Sequence, residues 1–431
     1  MNFARRSVLS GMTLLAATAG PLKATAKANQ FKDLQGALEK AIQGDGVLRL
    51  PAGNFGTGGL RIDGPVRLEG IAGRTTLAAP DGWPVLTIAD AKAVTISGIN
   101  FEGGTVPPTD DHRGVALVKA ERVEELVIEG CRFTGTAATG LRLENCSGRI
   151  VGNRFSELGQ TALFALDSKG LEISGNHVRD IGNNGILVWT SAPAEDGSIV
   201  VNNRVERVGA KEGGSGENGN GINVYRAGNV LISGNRVSDC AFSGIRNNSG
   251  SNCQIMGNSI SRCGEVAIYS EFAFEGAVVS GNLIEDVAAG ISITNFDKGG
   301  RLAVVANNIV RNVRGGGSLA DTTAFGIYVE ADAQVSGNVV DSARDIGIGL
   351  GWGRYCRNLS ASGNSVRNCG RSFTFSLTEG AEPVMISGNR IAGSTIAAIQ
   401  GMDHKEPVTE DLGAAGAAPP AQGLIAGNFV S

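Results

Sequence analysis

The 431-residue chain carries 38 basic and 42 acidic residues, which gives a formal net charge of −4 at pH 7. This acidic balance disfavours a nucleic-acid partner, because nucleic-acid binding needs a basic face. The 64 glycines and the aromatic content of only 5% are typical of a chain with many tight corners around a narrow aliphatic core.

Residues 1–28 have the pattern of a twin-arginine export signal. Arg5 and Arg6 precede an apolar stretch, Gly11–Ala19, that is too short to span a bilayer. Small residues near Ala26 and Ala28 offer cleavage sites. An ordinary secretory signal is the alternative, and a lysine close to the cleavage site disfavours it. Removing residues 1–28 takes away four basic residues, so 34 basic face 42 acidic residues and the net charge becomes −8.

The sequence therefore predicts a periplasmic or secreted protein. After cleavage of the signal we expect no membrane contact, since the remaining sequence has no segment able to span. The twin-arginine export machinery is the expected partner during transport.

The mature chain, 29–431, is predicted to begin with a helical cap at 29–45. Phe31–Gln43 places Phe31, Leu34, Leu38 and Ile42 on one helical face, which suits a lid over the first coil of a solenoid. Short alternating strands follow, as at Val47–Leu50 and Val66–Leu68, and indicate irregular first coils over 46–139.

A Gly-Asn corner then recurs along the chain. Its asparagine repeats every 23 to 32 residues from Asn153 to Asn389. Each unit holds three short strands separated by tight corners, as in Leu171–Trp189, and leaves no room for a crossover helix. This pattern predicts a parallel β-helix of regular coils over 140–400, with the asparagines paired in a ladder along the axis.

The third strand of each coil follows a Gly-Ile-x-Val pattern, so x and the residue after Val should point outward. Nine coils between Leu141 and Leu350 then give two outward columns. The first contains Arg142, Phe164, Leu187, Asn223, Arg246, Ala267, Ser292, Tyr328 and Gly349. The second contains Glu144, Leu166, Trp189, Tyr225, Asn248, Tyr269, Thr294, Glu330 and Gly351.

Every Tyr and Trp except Trp83 lies in these columns or, like Trp352 and Tyr355, just beyond them. Exposed aromatic rings interleaved with polar groups suit the stacking of sugar rings, although flat sheets also favour Tyr and Trp. The predicted substrate-binding residues are Trp189, Glu217, Asn223, Asn248, Tyr328, Trp352 and Arg354. Insertions at Gly209–Asn220, Arg314–Phe325 and Thr190–Gly197 are expected to rim this face.

The candidate catalytic residues are Tyr225, Arg246, Tyr269, Glu271 and Glu330. Arg246 beside Tyr225 or Tyr269 would suit uronate β-elimination or epimerisation, because an arginine can neutralise the carboxylate while a tyrosine moves a proton. Glu271 and Glu330, about 9 Å apart, would suit inverting hydrolysis. An acidic cluster with His112 at Asp110–Arg113 is a third arrangement, with a solvated loop as its alternative.

The seven cysteines show no disulfide framework and no zinc spacing, and no metal or cofactor is expected. Cys240, Cys263 and Cys369 share one position in their coils, which predicts a buried stack of small side chains. A Cys240–Cys263 bridge is the alternative. Residues 401–423 form a Pro/Ala/Gly-rich loop, predicted to be disordered, and 424–431 a terminal partial coil.

The leader, cap and Gly-Asn coils resemble the right-handed parallel β-helices of the pectin-lyase-like superfamily. More narrowly, ARRSVLSG with repeated SGN and GIxV motifs is similar to the twin-arginine-translocated repeat proteins, a family without assigned activity. The superfamily implies polysaccharide substrates, a groove along the third-strand sheet, and lyase, hydrolase or epimerase chemistry. The Asn-Thr-Asp and Gly-His-Gly motifs of polygalacturonases and the Trp-Ile-Asp-His motif of pectate lyases are missing.

The sequence thus predicts an all-β, right-handed parallel β-helix with an N-terminal capping helix. Its expected partner is an extended polysaccharide or cell-envelope glycan bound along the third-strand face. Lyase, epimerase or glycoside hydrolase activity is one hypothesis. A non-catalytic periplasmic glycan-binding or structural repeat protein is the other.

Overall fold

A computed structural model describes residues 33–79, 84–103, 115–214, 216–421 and 423–431. Three sheets of 15 strands each, here called sheets A, B and C, make up nearly all of it. Sheet A consists of Val47–Arg49, Val66–Glu69, Ala93–Ser97, Glu125–Glu129, Gly148–Val151, Glu172–Ser174, Ile199–Val201, Leu231–Ser233, Cys253–Met256, Glu275–Ser280, Arg301–Ala306, Ala333–Ser336, Leu359–Ser362, Val384–Ser387 and Gly423–Ala426.

Sheet B consists of Gly53–Gly56, Thr75–Ala78, Ile99–Glu102, Arg132–Thr136, Arg154–Leu158, His177–Ile181, Arg204–Val208, Arg236–Cys240, Ser259–Ser261, Leu283–Glu285, Ile309–Val313, Val339–Ala343, Ser365–Arg367, Arg390–Ala392 and Phe429–Val430. Sheet C consists of Leu60–Ile62, Leu86–Ala89, Ala116–Glu121, Thr139–Glu144, Thr161–Leu166, Asn184–Glu195, Asn220–Gly228, Ile245–Asn248, Val266–Glu271, Ala289–Thr294, Phe325–Val329, Ile346–Leu350, Arg371–Ser376, Ala397–Asp403 and Glu406–Pro407.

The chain visits sheets A, B and C in turn, and each strand pairs in parallel with the strand one coil further on. The exception is Glu406–Pro407, which pairs antiparallel with Ala397–Asp403. This topology confirms the predicted parallel β-helix. The predicted division of the chain into leader, cap, irregular coils and regular coils stays a prediction.

Alternate residues of each strand point into a narrow core that runs the length of the coils. Phe101, Phe133 and Phe155 lie at one position in three successive coils of sheet B and are fully buried. Their rings stack with centroids 5.2 and 4.6 Å apart. Because in-register coils place like side chains on top of one another, the same packing solution repeats along the axis.

The asparagines of the Gly-Asn corners form a continuous buried ladder between sheets A and B. Asn153 Nδ2 donates to Asn176 Oδ1 at 3.0 Å and to Ile128 O at 2.9 Å, and Asn176 Oδ1 also accepts from the Asn153 backbone N–H. The same bonds recur from coil to coil up to Asn428. The predicted ladder is therefore confirmed, and the side-chain amide of each of these asparagines is used in its hydrogen bonds.

One α-helix, Leu34–Gln43, covers the first coil, as predicted, while Phe31 lies outside the described residues. The Asp33 side chain caps it by accepting from the Gly36 N–H at 2.8 Å. Leu38 is fully buried, and Gln35 exchanges two hydrogen bonds with the backbone of Arg61 in the first strand of sheet C. The helix thus supplies hydrogen-bond partners to the first strand of sheet C, which would otherwise be an open edge.

All seven cysteines are free and buried, so the Cys240–Cys263 bridge is not formed. Burial raises the pKa of Cys131, Cys253 and Cys356 to about 12, which keeps these thiols protonated and unreactive. Within the described residues no helix is long and apolar enough to cross a membrane.

Candidate functional site

The register of sheet C tests the two predicted outward columns directly. Leu141, Leu163, Ile186, Ile222, Ile245, Ile268, Ile291, Ile327 and Ile348 follow one another in a single row. The nine predicted coils are therefore present, and the columns are correct except in the coil Val266–Glu271.

In that coil the predicted register is wrong by two residues. Tyr269 pairs with Arg246 and Ser292, so it belongs to the first column, while Ala267 is fully buried. Glu271 pairs with Asn248 and Thr294 and takes the place assigned to Tyr269 in the second column. The coil has Ala267 where its neighbours have glycine, so it lacks the residue that marks the start of this strand in the other coils.

Arg246 lies at the centre of a buried charge cluster. Its Nε and Nη2 donate to the two carboxylate oxygens of Glu271 at 2.7 and 2.8 Å, and its Nη1 lies 3.4 Å from Glu265 Oε2. Ser243 Oγ donates to the same Glu265 oxygen at 2.8 Å, and Asn248 Nδ2 donates to Glu271 Oε1 at 2.7 Å. The Arg246 side chain is only 8% exposed and that of Glu271 only 1%.

This arrangement differs from the expected solvent-facing arginine. Burial raises the pKa of Glu271 above its ordinary value, and the hydrogen bonds and charge of Arg246 oppose this effect. The guanidinium also lies 4.7 Å from the centroid of the Tyr269 ring. Arg246 pairs across the sheet with Asn223 and not with Tyr225, which pairs with Asn248. The cluster is satisfied within itself, so Arg246 is not free to neutralise a substrate carboxylate.

The loop at 209–219, of which residues 209–214 and 216–219 are described, covers this cluster, in agreement with the predicted rim. Gly216, with φ +90°, passes so close that an added Cβ would lie 3.1 Å from Arg246 Nη2, and its carbonyl accepts from Asn220 and Asn223. Asn184 Nδ2 donates to Glu217 O and lies 3.3 Å from Asn218 Oδ1. Hydrogen bonds from the sheet therefore hold the loop in place over Asn223.

The amino-terminal half of the face carries a run of aromatic rings. The ring centroids of Phe164 and Trp189 are 5.2 Å apart, and those of Trp189 and Tyr225 are 5.4 Å apart. Arg142 and Arg226 flank the run, 4.7 Å from the Phe164 ring and 4.6 Å from the Tyr225 ring. Trp189 and Tyr225 are half-buried, so each presents part of its ring to solvent.

The carboxyl-terminal half carries a second aromatic group. The Tyr328 ring lies across Gly349, where a Cβ would be 2.3 Å from it, and its hydroxyl donates to Gly351 O at 2.9 Å. Trp352 packs edge-on against Tyr328 and His404, with centroids 6.5 and 5.2 Å away. Arg354, which was also predicted to bind substrate, is exposed and lies in the short 3₁₀ helix Gly353–Tyr355, with its guanidinium 5.2 Å from the centroid of the Tyr355 ring.

Glu330 lies beside this second group and is 9% exposed. Its Oε2 accepts from the Asn295 backbone N–H at 3.0 Å. Burial raises the pKa of Glu330 to about 8, because the backbone hydrogen bonds from Phe296 and Asn295 do not offset the loss of solvent. Glu330 therefore holds a proton near neutral pH, as a general acid must.

The other two predicted rim loops differ from expectation. Most of Thr190–Gly197 is strand, because Asn184–Glu195 continues past Trp189 and pairs Ala194 with Ala227 after a bulge. The segment from Arg314 to Phe325 folds to the corner between sheets B and C, where Ser318 donates to Ala241 O and Gly264 O. It therefore borders that corner and not the outward columns.

The shape of the face is shallow. A cleft of about 650 Å³ at the corner between sheets B and C lies beside Asp180, Arg207, Lys211 and Arg262. On the face itself, a cleft of about 30 Å³ lies between Trp189 and the 209–219 loop. The described residues contain no group of three His, Cys, Asp or Glu side chains that could hold a metal ion. Asp110–Arg113 lies outside the described residues.

Sequence reasoning missed Glu265 and Ser243, which complete the cluster around Arg246. Both precede their strands of sheet C, at the point where the chain turns in from sheet B, so neither falls in the outward columns. The sequence signal for Glu265 is its position as an acid immediately before the strand Val266–Glu271.

Comparisons with known proteins agree with this architecture. The curated protein "Probable ABC transporter binding protein NosD" of Pseudomonas aeruginosa is 34% identical over 99 residues, which are 23% of this chain and 22% of that protein's length. The Azotobacter vinelandii mannuronan C-5 epimerase AlgE6 A-module superposes with a TM-score of 0.52 at 15% identity, covering 71% of this chain and 93% of that one.

A GH87 α-1,3-glucanase catalytic unit from Streptomyces thermodiastaticus superposes with a TM-score of 0.49 at 16% identity, covering 92% of this chain and 65% of that one. At 15% identity, the match to the AlgE6 A-module supports the fold alone. The family model described as the right handed beta helix region matches residues 84–205 and 194–357. With well over half of its residues matched by that model, the chain belongs to the right-handed β-helix family.

Proposed function

We propose that this protein is an exported carbohydrate-active protein that binds an extended glycan along the outer face of sheet C. The single observation that carries the proposal is the run of rings at Phe164, Trp189 and Tyr225, in contact from coil to coil. The rings of Trp189 and Tyr225 are partly exposed, and Phe164 is buried beside them. A row of flat apolar surfaces with polar neighbours fits the apolar faces and hydroxyl groups of a sugar chain.

Glycan binding without turnover is the form of this function that the geometry favours. Arg246 and Glu271 are held by each other and covered by the 209–219 loop, so neither can reach a substrate unless the cluster breaks. Elimination or epimerisation by Arg246 with Tyr225 or Tyr269 would require that rearrangement. Inverting hydrolysis with Glu271 as base would require it as well, since Glu271 accepts from both Arg246 and Asn248.

Glu330 supports a catalytic form as the second candidate. It is a protonated carboxyl group near neutral pH, beside Tyr328 and Trp352, and could donate a proton to a glycosidic oxygen. A glycoside hydrolase or lyase that uses Glu330 as its acid would need a second catalytic group, which would come from the same end of the face.

The test is a binding and turnover screen of residues 29–431 against neutral and uronate-containing polysaccharides. Mannuronan belongs in the set, because the A. vinelandii protein of the same fold is a mannuronan epimerase. Binding that Trp189→Ala with Tyr225→Ala weakens by at least about tenfold, with thermal unfolding unchanged, would support the proposal. Binding by the native protein to none of the glycans would refute it.

Turnover is read from reducing ends and from the ultraviolet absorbance of unsaturated products. Glu330→Gln should abolish any turnover while binding persists. Activity that survives this substitution would remove Glu330 as the acid.

We also propose that residues 1–28 direct twin-arginine export, as in the twin-arginine-translocated repeat proteins that the leader and coils resemble. These residues lie outside the described structure. Replacing Arg5 and Arg6 by Lys should stop export through this route. Export of the variant at the native rate would instead indicate an ordinary secretory signal.

A further inference from the structure

A row of basic side chains runs along the outer face of sheet B, away from the proposed glycan face on sheet C. Five residues occupy the same outward position in five successive coils, and parallel pairing joins each one to the next. In chain order they are Arg132, Arg154, His177, Arg204 and Arg236, here called the arginine row.

The coil spacing brings these charges close together. Parallel strands lie about 4.8 Å apart, so the row extends over about 19 Å. Its four arginines are all exposed, and Arg179 projects beside them from the neighbouring column. Like charges directly opposite one another on a sheet are destabilising, so the row works against the stability of the fold.

Acidic partners within the described structure neutralise only the middle of the row. Glu206 Oε2 accepts from Arg204 Nε at 2.9 Å, and Glu206 Oε1 lies 3.1 Å from His177 Nε2. Arg132, Arg154 and Arg236 make no ion pair with any residue that the structure describes. By contrast, the arginines on the outer face of sheet A are paired, as in Arg49–Glu69, Arg149–Glu172 and Arg301–Glu275.

Two shallow clefts lie end to end along the row. One, of about 310 Å³, lies beside Arg132, Arg154 and His177, and the other, of about 350 Å³, lies beside Arg204 and Arg236. Glu206 borders both, and hydroxyl groups of Thr134, Ser156, Ser238 and Ser261 contribute to their linings. Glu285 also lines the second cleft, and its carboxylate is paired with Arg311. The clefts thus provide a continuous polar track with hydrogen-bond donors between the guanidinium groups.

We propose that the arginine row is a binding site for an acidic polysaccharide, whose carboxylate groups pair with Arg132, Arg154 and Arg236. These guanidinium groups, unpaired among the residues that the structure describes, can each bind a carboxylate with two hydrogen bonds, and the regular coil spacing fits a polymer with a repeated acidic group. The chain has a net charge of −4, so its overall charge does not attract an acidic polymer. The local basic track is what attracts the ligand to this surface.

The same surface is a poor site for a single-stranded nucleic acid. Such sites combine a basic track with exposed aromatic rings on which the bases stack. Of the described residues that border the two clefts, Phe155 carries a phenyl ring, and this ring is fully buried. The track therefore offers ion pairs and hydroxyl groups, which suit a uronate chain.

The test measures the affinity of residues 29–431 for polygalacturonate, with the neutral glucan laminarin as the uncharged probe. Polygalacturonate should bind, and added salt should weaken its binding because the contacts are exposed ion pairs. The triple variant Arg132→Gln, Arg154→Gln, Arg236→Gln should lose at least about tenfold in affinity, since it removes three charge contacts.

A matched control removes the same charge from a different face. Arg49→Gln, Arg149→Gln and Arg301→Gln together change the net charge equally but lie on sheet A, and this variant should stay within about twofold of the native affinity. Equal losses in the two triple variants would show a general charge effect and overturn the proposal. Binding of single-stranded DNA as tight as that of polygalacturonate would overturn the assignment to an acidic glycan.

This inference stands apart from the function proposed for sheet C. The Trp189→Ala, Tyr225→Ala variant should keep its affinity for polygalacturonate. If that variant loses the affinity and the arginine-row variant retains it, the acidic glycan binds on sheet C and the arginine row is not its site.

Discussion

Arg246 and Glu271 form a two-pronged ion pair across neighbouring coils of sheet C, with N–O distances of 2.7 and 2.8 Å. Both side chains are almost completely buried, and a third charge, on Glu265, lies 3.4 Å from the guanidinium. A pair removed from water to this degree depends on its own geometry, because either charge alone would be strongly destabilising there. The ion pair therefore holds the Arg246 guanidinium within the fold at the centre of the face.

Replacement of Arg246 by Met should lower the free energy of unfolding by about 3–5 kcal/mol, because it leaves Glu271 buried without its partner. Urea unfolding followed by circular dichroism measures the loss. The double variant Arg246→Met, Glu271→Met should recover most of it, since no unpaired charge remains from the pair. A single variant as stable as the native protein would mean that Arg246 is exposed and available to substrate.

Substitution of a ladder asparagine should lower the stability of the protein most in the middle of the ladder. Asn258→Ala removes the bonds that the Asn258 side chain donates to Ile232 O and Asn282 Oδ1. It also leaves the Asn235 backbone N–H and one of the two Asn235 Nδ2 hydrogens without an acceptor. Buried orphaned groups cost about 1–3 kcal/mol each, so we expect a loss of roughly 2–4 kcal/mol.

Asn428→Ala is the matched control at the end of the ladder. Asn428 is half-buried, and water can replace the bonds that it accepts from Asn389. We therefore expect a clearly smaller decrease in the urea midpoint for this variant. Equal decreases for the two variants would contradict a ladder whose strength depends on burial.

The buried carboxyl group of Glu330 should make stability depend on pH. Its pKa is about 8 in the folded protein and close to 4.5 in the unfolded chain, so the folded state holds the proton more tightly. The resulting stability is fully present below pH 4.5 and is lost as the pH rises through about 8.

Glu330→Gln keeps an acceptor for the Asn295 N–H and removes the titration. Relative to the native protein, the variant should gain thermal stability progressively between pH 4.5 and 8, with a difference of at least about 2 °C at the upper limit. Melting curves at a series of pH values give this difference. A difference in Tm that does not change over this pH range would show that folding does not raise the pKa of Glu330.

The seven buried thiols should be inert in the folded protein. Burial raises the pKa of Cys369 to about 11 and that of Cys253 to about 12, so few thiolates form at pH 8 and solvent reagents cannot reach them. Titration with Ellman's reagent should detect almost no thiol in the native state and all seven in guanidinium chloride. Rapid reaction of a native thiol would require a more open coil than the structure has.

Much of sheet C could be predicted because the Gly-Asn corners mark each coil. Once Asn153 and Asn176 are placed on one axis, the strands that follow them come into register, and Arg142, Phe164 and Leu187 fall in one column. The predicted register of the coil Val266–Glu271 was wrong for a local reason. Ala267 replaces the usual glycine and Ser270 points inward where most coils have an aliphatic residue, so the apolar pattern no longer defines the register.

The candidate site was predictable as a set of residues but not as a set of contacts. Trp189, Tyr225 and Tyr328 lie in the outward columns as expected. The ion pair of Arg246 with Glu271, by contrast, depends on a register that the sequence pattern misassigned. The cover over it depends on the path of the 209–219 loop, which carries no periodic signal.

The sequence by itself determined the β-helix and its corner ladder, because both follow from local periodicity repeated many times. It also determined the capping helix, because one segment carries an apolar helical face. Only the tertiary structure decided which outward side chains are exposed, which are neutralised, and where unpaired charge remains. Arg246 and Arg154 each occupy an outward position in a β-strand, so the sequence pattern does not distinguish them. One is buried by a loop and two glutamates from other parts of the chain, while the other lies open on sheet B, because burial and pairing depend on residues distant in sequence.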